Sequence, residues 1–192
     1  MATCANCSAE VSDGSVILVQ GKSKKAPSIP LCPNCVTNTE NAIVAETKGH
    51  NLPVAILLGL VAAVVGSLVW YGLVVLTNYQ LGIVAVGIGW LVAQAVMRGA
   101  GRKRGPRLQA ISVIFTLLGM AFSEYLIVRH FAVQALAAEG YTNIPLLLPL
   151  DTMLNLIIEG VKADLLTLLF WAIALWEAFV IPGQRRLRRV NG

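Results

Sequence analysis

The chain has 192 residues, of which 56% are hydrophobic and 13% are charged, and its formal net charge is +5. A soluble globular domain typically carries roughly 25% charged residues, whereas the stretch from Gly49 to Met97 contains no Asp, Glu, Lys or Arg. Composition therefore excludes an ordinary soluble fold and indicates an integral membrane protein. The sequence also has no nucleotide-binding loop, cofactor motif or nucleophile–base pair, so we do not expect an enzyme.

All four cysteines lie in the N-terminal region, residues 1–48, in two pairs with the spacing C-x2-C. Cys4 and Cys7 form the first pair, and Cys32 and Cys35 form the second. Such pairs are typical of a tetrahedral site in which four thiolates hold one structural Zn²⁺. A domain this small buries too little apolar surface to fold unaided, and a bound metal supplies the missing stabilisation.

The identity of the metal has one alternative. An iron site of the rubredoxin type uses similar cysteine pairs. However, the residues that follow the two pairs, Ser8 and Val36, are not the glycines that such sites usually carry. We therefore expect zinc rather than redox-active iron. A bound metal requires reduced thiols, which favours a cytoplasmic N-terminus.

The fold class expected is all-α in the membrane, with a small zinc-ribbon-like β domain ahead of four transmembrane helices. In residues 1–48, strands are predicted over residues 16–19 and 28–31, followed by a short helix over residues 36–48. The transmembrane domain is predicted over residues 52–182. About 20 apolar residues cross the hydrocarbon core, and the apolar segments cover about residues 52–76, 79–97, 108–129 and 164–181.

Two further features are predicted for the transmembrane domain. Trp70 and Tyr71, near the end of the first segment, are expected to anchor it at the membrane interface. Residues 132–163 form a predicted periplasmic loop. Within this loop, residues 144–162 are predicted to be interfacial or partly re-entrant, and the sequence leaves both alternatives open.

The placement of positive charge predicts the orientation. The loop from Arg98 to Arg107 holds five positive charges and no negative charge, and further arginines lie in a basic C-terminal tail, residues 183–192. The N-terminal domain adds several lysines. Since positive residues on short loops mark the cytoplasmic side, both termini are expected in the cytoplasm.

Small residues recur at helix-packing spacing in three of the segments. They allow close approach of helix backbones, although a polar substrate path is the alternative. The three sets are Gly59, Ala63 and Gly66; Ala85, Gly89 and Ala93; and Ser112, Thr116, Gly119 and Ser123. We expect helix packing.

Glu124 and Glu177 are the acidic residues inside the third and fourth segments. An ionisable group in a membrane span is a functional candidate, because it costs at least ~2–3 kcal/mol unless it is paired or hydrated. Glu124 has a structural role or a role in proton or ion handling, with Arg129, His130 or a neighbouring helix as its partner. Glu177 is expected to reach the interface near Arg185, a structural role.

The stretch NYQLGIVAVGIGWLVAQAVMRG, residues 78–99, leads into a basic, Gly-rich loop and then Leu108, Gln109 and Ala110. Together these residues resemble uncharacterised bacterial small membrane proteins that carry a zinc-ribbon or B-box-like module ahead of four helices. The resemblance implies the fold arrangement and the bacterial inner membrane. It implies no activity and no catalytic residue.

These observations favour a non-enzymatic accessory or scaffold subunit that uses its zinc module for protein interaction in the cytoplasm. Its expected partners are membrane lipids and other membrane subunits, or a second copy of the chain. Nucleic acid is not expected, since no aromatic residues are interleaved with the basic loop. The alternative is a small proton- or cation-linked transporter or channel that uses Glu124.

Overall fold

The structure is a computed structural model that describes residues 2–20, 27–138, 140, 155, 158, 165–185 and 187–190. The described chain is mostly helical, with a small region of short strands at its N-terminus. In chain order, the elements are β1 (Ala2–Thr3), β2 (Glu10–Val11), a 3-10 turn (Asp13–Ser15), β3 (Ile17–Gln20), β4 (Ile29–Leu31), α1 (Pro33–Glu46), α2 (Leu52–Thr77), α3 (Ile83–Gly99), α4 (Pro106–Ala138), α5 (Leu165–Val180) and β5 (Arg188–Arg189).

The N-terminal module combines two antiparallel strand pairs with one helix. β1 pairs with β2, and β3 pairs with β4 so that Ile17 lies opposite Leu31. The two predicted strands are therefore present within one or two residues of their expected bounds. The predicted helix is also present, but α1 begins at Pro33 rather than Val36, because proline suits the first turn of a helix. Val19, Leu31 and Val36 form the apolar centre of the module.

Part of the basic C-terminal tail that is predicted over residues 183–192 forms a strand. Its strand β5 joins the sheet of the N-terminal module in the order β4-β3-β5, with Val19 opposite Arg189. The backbone N–H of Val190 donates to the carbonyl of Leu18 at 2.9 Å. Main-chain pairing does not require apolar side chains, so an arginine-rich sequence can form an edge strand.

The four long helices largely follow the apolar segments, with different ends. α2 ends where Asn78 takes a left-handed conformation with φ 56° and caps the carbonyl of Val74. α4 continues to Ala138, so residues 132–138 of the predicted periplasmic loop are helical. Most of the rest of that loop, including the predicted interfacial or re-entrant stretch, lies outside the described residues.

Two of the helices, α2 and α4, are long and apolar enough to cross a membrane. α3 and α5 are apolar but shorter, at 17 and 16 residues. α2 packs on α3 and α4, α5 also packs on α3 and α4, and α3 contacts α4. The described helices therefore form a bundle with α2 and α5 on its outer sides.

The predicted stripes of small residues line the helix contacts. All ten of these side chains or glycine positions are buried. At Ser67, the hydroxyl donates to the carbonyls of Ala63 at 2.6 Å and Gly119 at 2.7 Å, so it links α2 to α4. At Gly99, an added Cβ would lie 2.7 Å from the Cα of Ala55. The prediction of close helix packing is confirmed.

Candidate metal centre and its contacts with the bundle

The four cysteines come together as one cluster in the N-terminal module. All four sulfur atoms lie within 4.8 Å of one another. The Sγ atoms of Cys7 and Cys32 are 3.8 Å apart, whereas a disulfide has an S–S length of about 2.05 Å. Four thiolates at about 2.3 Å from one metal ion form a tetrahedron with edges of about 3.8 Å. The cluster can therefore hold a metal ion, and the predicted association of the four cysteines is confirmed.

Two local backbone structures position these sulfur atoms. In the first pair, the chain turns back after Cys7, and the backbone N–H of Ser8 donates to the carbonyl of Cys4 at 2.9 Å. In the second pair, Cys32 immediately precedes α1 and Cys35 lies in its first turn. The N-terminus of α1 thus places two thiols side by side, with its positive end towards them.

The backbone conformation of Ser8 weakens the sequence-based argument against an iron site. It has φ 57°, in the left-handed region that glycine adopts most easily. The residue after the first pair therefore provides the turn that a glycine would provide in an iron site. A second feature of such sites is also present, because the backbone N–H of Cys32 donates to Cys4 Sγ at 3.3 Å.

The environment makes the thiols unequal. Hydrogen bonds from the backbone N–H groups of Cys32, Cys7 and Asn6 lower the pKa of Cys4 to about 6, despite its burial. At Cys35, the side-chain amide of Asn6 lowers the pKa, but contact with Cys32 and burial outweigh it and raise the pKa to about 12. The hydrogen bonds to Cys4 therefore favour its thiolate form. Because thiols must lose their protons to bind a metal ion, metal affinity falls as the pH falls.

The far end of α1 is attached to the loop between α3 and α4. The backbone N–H of Arg104 donates to the carbonyl of Glu46 at 2.8 Å, and Lys103 Nζ donates to the carbonyl of Ala45 at 2.9 Å. Arg104 Nη1 also donates to the carbonyl of Ile181, just after α5, at 2.6 Å. The loop between α3 and α4 therefore contacts both α1 of the module and the residue that follows α5.

The C-terminal segment is also attached to the module. Besides the pairing of β5 with β3, Arg189 contacts Glu40 on α1, with Nη2 2.7 Å and Nε 3.2 Å from Oε1. The ion pair is exposed, and such pairs contribute about 0.2–1 kcal/mol. The three regions that the sequence assigns to one side of the membrane thus contact one another at one end of the bundle.

Glu124 and Glu177 are not brought together. Glu124 Oε1 accepts a hydrogen bond from Gln80 Nε2 at 2.7 Å, so its partner lies in the turn between α2 and α3. His130, a partner considered from the sequence, instead lies 3.1 Å from the hydroxyl of Tyr71 through Nδ1. Glu177 Oε2 is buried without a hydrogen-bond partner among the described residues.

The contacts of Glu46 and the pairing of β5 were not identified from the sequence. The signal for the contacts of Glu46 is the opposite charge of Glu46 and the basic loop, both assigned to the cytoplasmic side. The pairing of β5 has no such side-chain signal. Arg185, expected near Glu177, lies 3.9 Å from Glu46. Comparisons with protein-family models, curated proteins and solved structures find no match to this chain.

Proposed function

We propose that the chain is a non-enzymatic scaffold subunit of the bacterial inner membrane, which holds a zinc-stabilised module at the cytoplasmic surface for a protein partner. The observation that carries this proposal is the attachment of the module to the bundle. The α3–α4 loop is hydrogen-bonded to α1, and β5 from the C-terminal segment pairs with β3 of the module. A module fixed in this way presents its outer surface at a set height and orientation, which suits docking.

Zinc fits the cluster as a structural ion. All four positions of a tetrahedral site are taken by thiolates, which leaves no open position for water or substrate. Such closed sites stabilise a fold and do not catalyse hydrolysis. The small apolar centre of the module, formed around Val19, Leu31 and Val36, is consistent with a domain that depends on its metal.

The distribution of side chains in the bundle supports four membrane spans in this proposal. α2 buries Gly59 and Ser67 while Leu57 and Val69 are 58% and 54% exposed. On α5, Trp176 is 67% exposed. A soluble bundle places its large apolar residues inside, whereas lipid allows small residues inside and large ones outside. The 17 residues of α3 reach the lower end of the range that spans a bilayer, about 17–25 residues.

In this proposal, the module, the α3–α4 loop and the C-terminus lie on one side after four crossings. The charge pattern supports the assignment of that side to the cytoplasm, where thiols stay reduced. The turn at Asn78 and the segment after Ala138 then lie on the periplasmic side.

The alternative function, transport through Glu124, has weaker support. Its carboxylate is engaged by Gln80 at 2.7 Å, as expected for a structural contact. Three cavities of the described structure lie around the end of α1, the α3–α4 loop and the C-terminal segment, and none of these three is lined by Glu124. A proton pathway would need hydrated space beside this carboxylate.

Chemical cross-linking in living cells, followed by purification of the full chain from membranes, tests the proposed function. We expect one cytoplasmic or membrane protein in a fixed ratio to the chain, lost in Cys35→Ser, which removes a metal ligand. Gly87→Ala is the control, because this position is exposed and open on α3. Equal recovery of the partner with Cys35→Ser, or a chain that purifies alone, would contradict a docking role for the module.

A further inference from the structure

A cavity of about 290 Å³ lies where the N-terminal module meets the bundle. Its lining includes Arg98 at the end of α3, Arg102 and Arg104 in the α3–α4 loop, Arg185 after α5, and Glu46 at the end of α1. The volume is close to the lower bound for small-ligand sites, about 300 Å³. Four arginines against one glutamate leave the cavity strongly positive.

The five charged groups fall into two sets. Glu46 lies 3.8 Å from Arg104 Nε and 3.9 Å from Arg185 Nη1, so its negative charge is shared between these two arginines. Arg98 and Arg102 make no side-chain hydrogen bond or ion pair with any part of the chain that the structure describes. Two guanidinium groups on one cavity therefore have no ion-pair partner among the described residues.

The backbone holds Arg102 in place at a conformational cost. Its backbone has φ 59°, which is unusual for a residue with a large side chain. The hydrogen bond from its backbone N–H to the carbonyl of Met97, at 2.8 Å, closes the loop after α3. Arg104 is equally fixed, by its hydrogen bond to the carbonyl of Ile181. Arg102 and Arg104 thus reach the cavity from a constrained loop, and Arg98 and Arg102 line it while remaining exposed to solvent.

We propose that this cavity binds a phosphate group through Arg98 and Arg102. The planar guanidinium donates two parallel hydrogen bonds to phosphate oxygens and keeps its charge at all physiological pH values. The phosphate belongs to the head group of an anionic lipid or to a soluble phosphate compound. The lining also includes Met97, an apolar side chain beside the charged groups.

The proposal is independent of the scaffold function, since it concerns charge at the end of the bundle and not the metal ligands. The test uses the full chain, purified with its metal in a neutral detergent. One arm titrates inorganic phosphate by calorimetry. The other arm titrates phosphatidylglycerol against phosphatidylcholine, with native mass spectrometry to count the lipids retained.

The variants are Arg98→Gln, Arg102→Gln and, as a control, Arg107→Gln. Arg107 is the second residue of α4 and is exposed, as Arg98 and Arg102 are, but it does not line this cavity. A charge-assisted hydrogen-bond pair is worth about tenfold in affinity, so we expect a loss of about tenfold or more from each cavity variant. The control is expected to change affinity by less than about threefold, the size of a screened surface charge effect.

The two arms identify the source of the phosphate. Binding of phosphatidylglycerol alone assigns the site to a lipid head group, and binding of inorganic phosphate assigns it to a soluble compound; both support the proposal when the cavity variants weaken them. Absence of binding in both arms with the wild-type chain overturns it. An equal loss in Arg107→Gln also overturns it, because the attraction would then come from the loop's total charge.

Discussion

Gly89 on α3 gives a sharp test of how α3 packs on α5. A Cβ at this position would meet the backbone of Ala174 on α5, with the carbonyl carbon at 2.9 Å and Cα at 3.0 Å. Carbon atoms normally approach to about 3.5–4.0 Å, so Gly89→Ala must separate the two helices by roughly 0.5–1 Å. Overpacking of this kind costs about 1–3 kcal/mol.

Gly87→Ala is the matched control two residues away. A Cβ at Gly87 meets nothing within 4 Å, yet both changes bring the same gain in helix propensity, about 1 kcal/mol. The difference between the two variants therefore isolates the packing cost. Reversible unfolding in mixed micelles, titrated with sodium dodecyl sulfate, should show Gly89→Ala less stable than Gly87→Ala by about 1–3 kcal/mol. Equal stability of the two variants would refute the packing of α3 on α5.

Three further predictions concern the metal, the module and the bundle. Elemental analysis of the purified chain should give about one zinc per chain and none in Cys35→Ser, whereas iron with visible absorbance would indicate a redox site. Deleting residues 187–192 removes β5 and should speed both metal loss to a chelator and proteolysis of residues 1–48; unchanged rates would show that β5 does not hold the module. Glu124→Gln should keep the bundle intact, because the amide oxygen can still accept the hydrogen bond from Gln80, while Glu124→Leu should lower its stability by about 1 kcal/mol. A Gln variant that assembles but abolishes proton flux in reconstituted vesicles would favour the transporter instead.

Local patterns in the sequence were sufficient to predict the cluster of four cysteines and the presence of the helices. The C-x2-C spacing depends on the turn geometry of a few residues, so the four thiols could be grouped without knowledge of the fold. The prolines Pro33, Pro53 and Pro106 suit a first helical turn, although the expected starts of α1 and α4 were residues 36 and 108. The end of α2 follows from Asn78, which tolerates a left-handed conformation.

Long-range contacts could not be predicted from such local patterns. The pairing of β5 with β3 joins chain ends that have no complementary side-chain signal, because main-chain hydrogen bonds make most of the contact. Trp70 was predicted at the membrane interface from its position in the apolar segment, but it is fully buried in the bundle. Its burial depends on which face of α2 meets the other helices. The end of α4 was also missed, because Arg129 and His130 suggest an interface although the helix continues past them.

The central claim, that the metal module and the C-terminus lie on the cytoplasmic side of a four-span bundle, is tested most directly by thiol labelling of intact cells. The native cysteines all lie in the module, and Tyr79, in the turn between α2 and α3, is 73% exposed. A maleimide that cannot cross the inner membrane should label Tyr79→Cys in intact cells and leave the wild-type chain unlabelled until lysis with a chelator. Labelling of the wild-type cysteines in intact cells, or protection of Tyr79→Cys until lysis, would contradict the account.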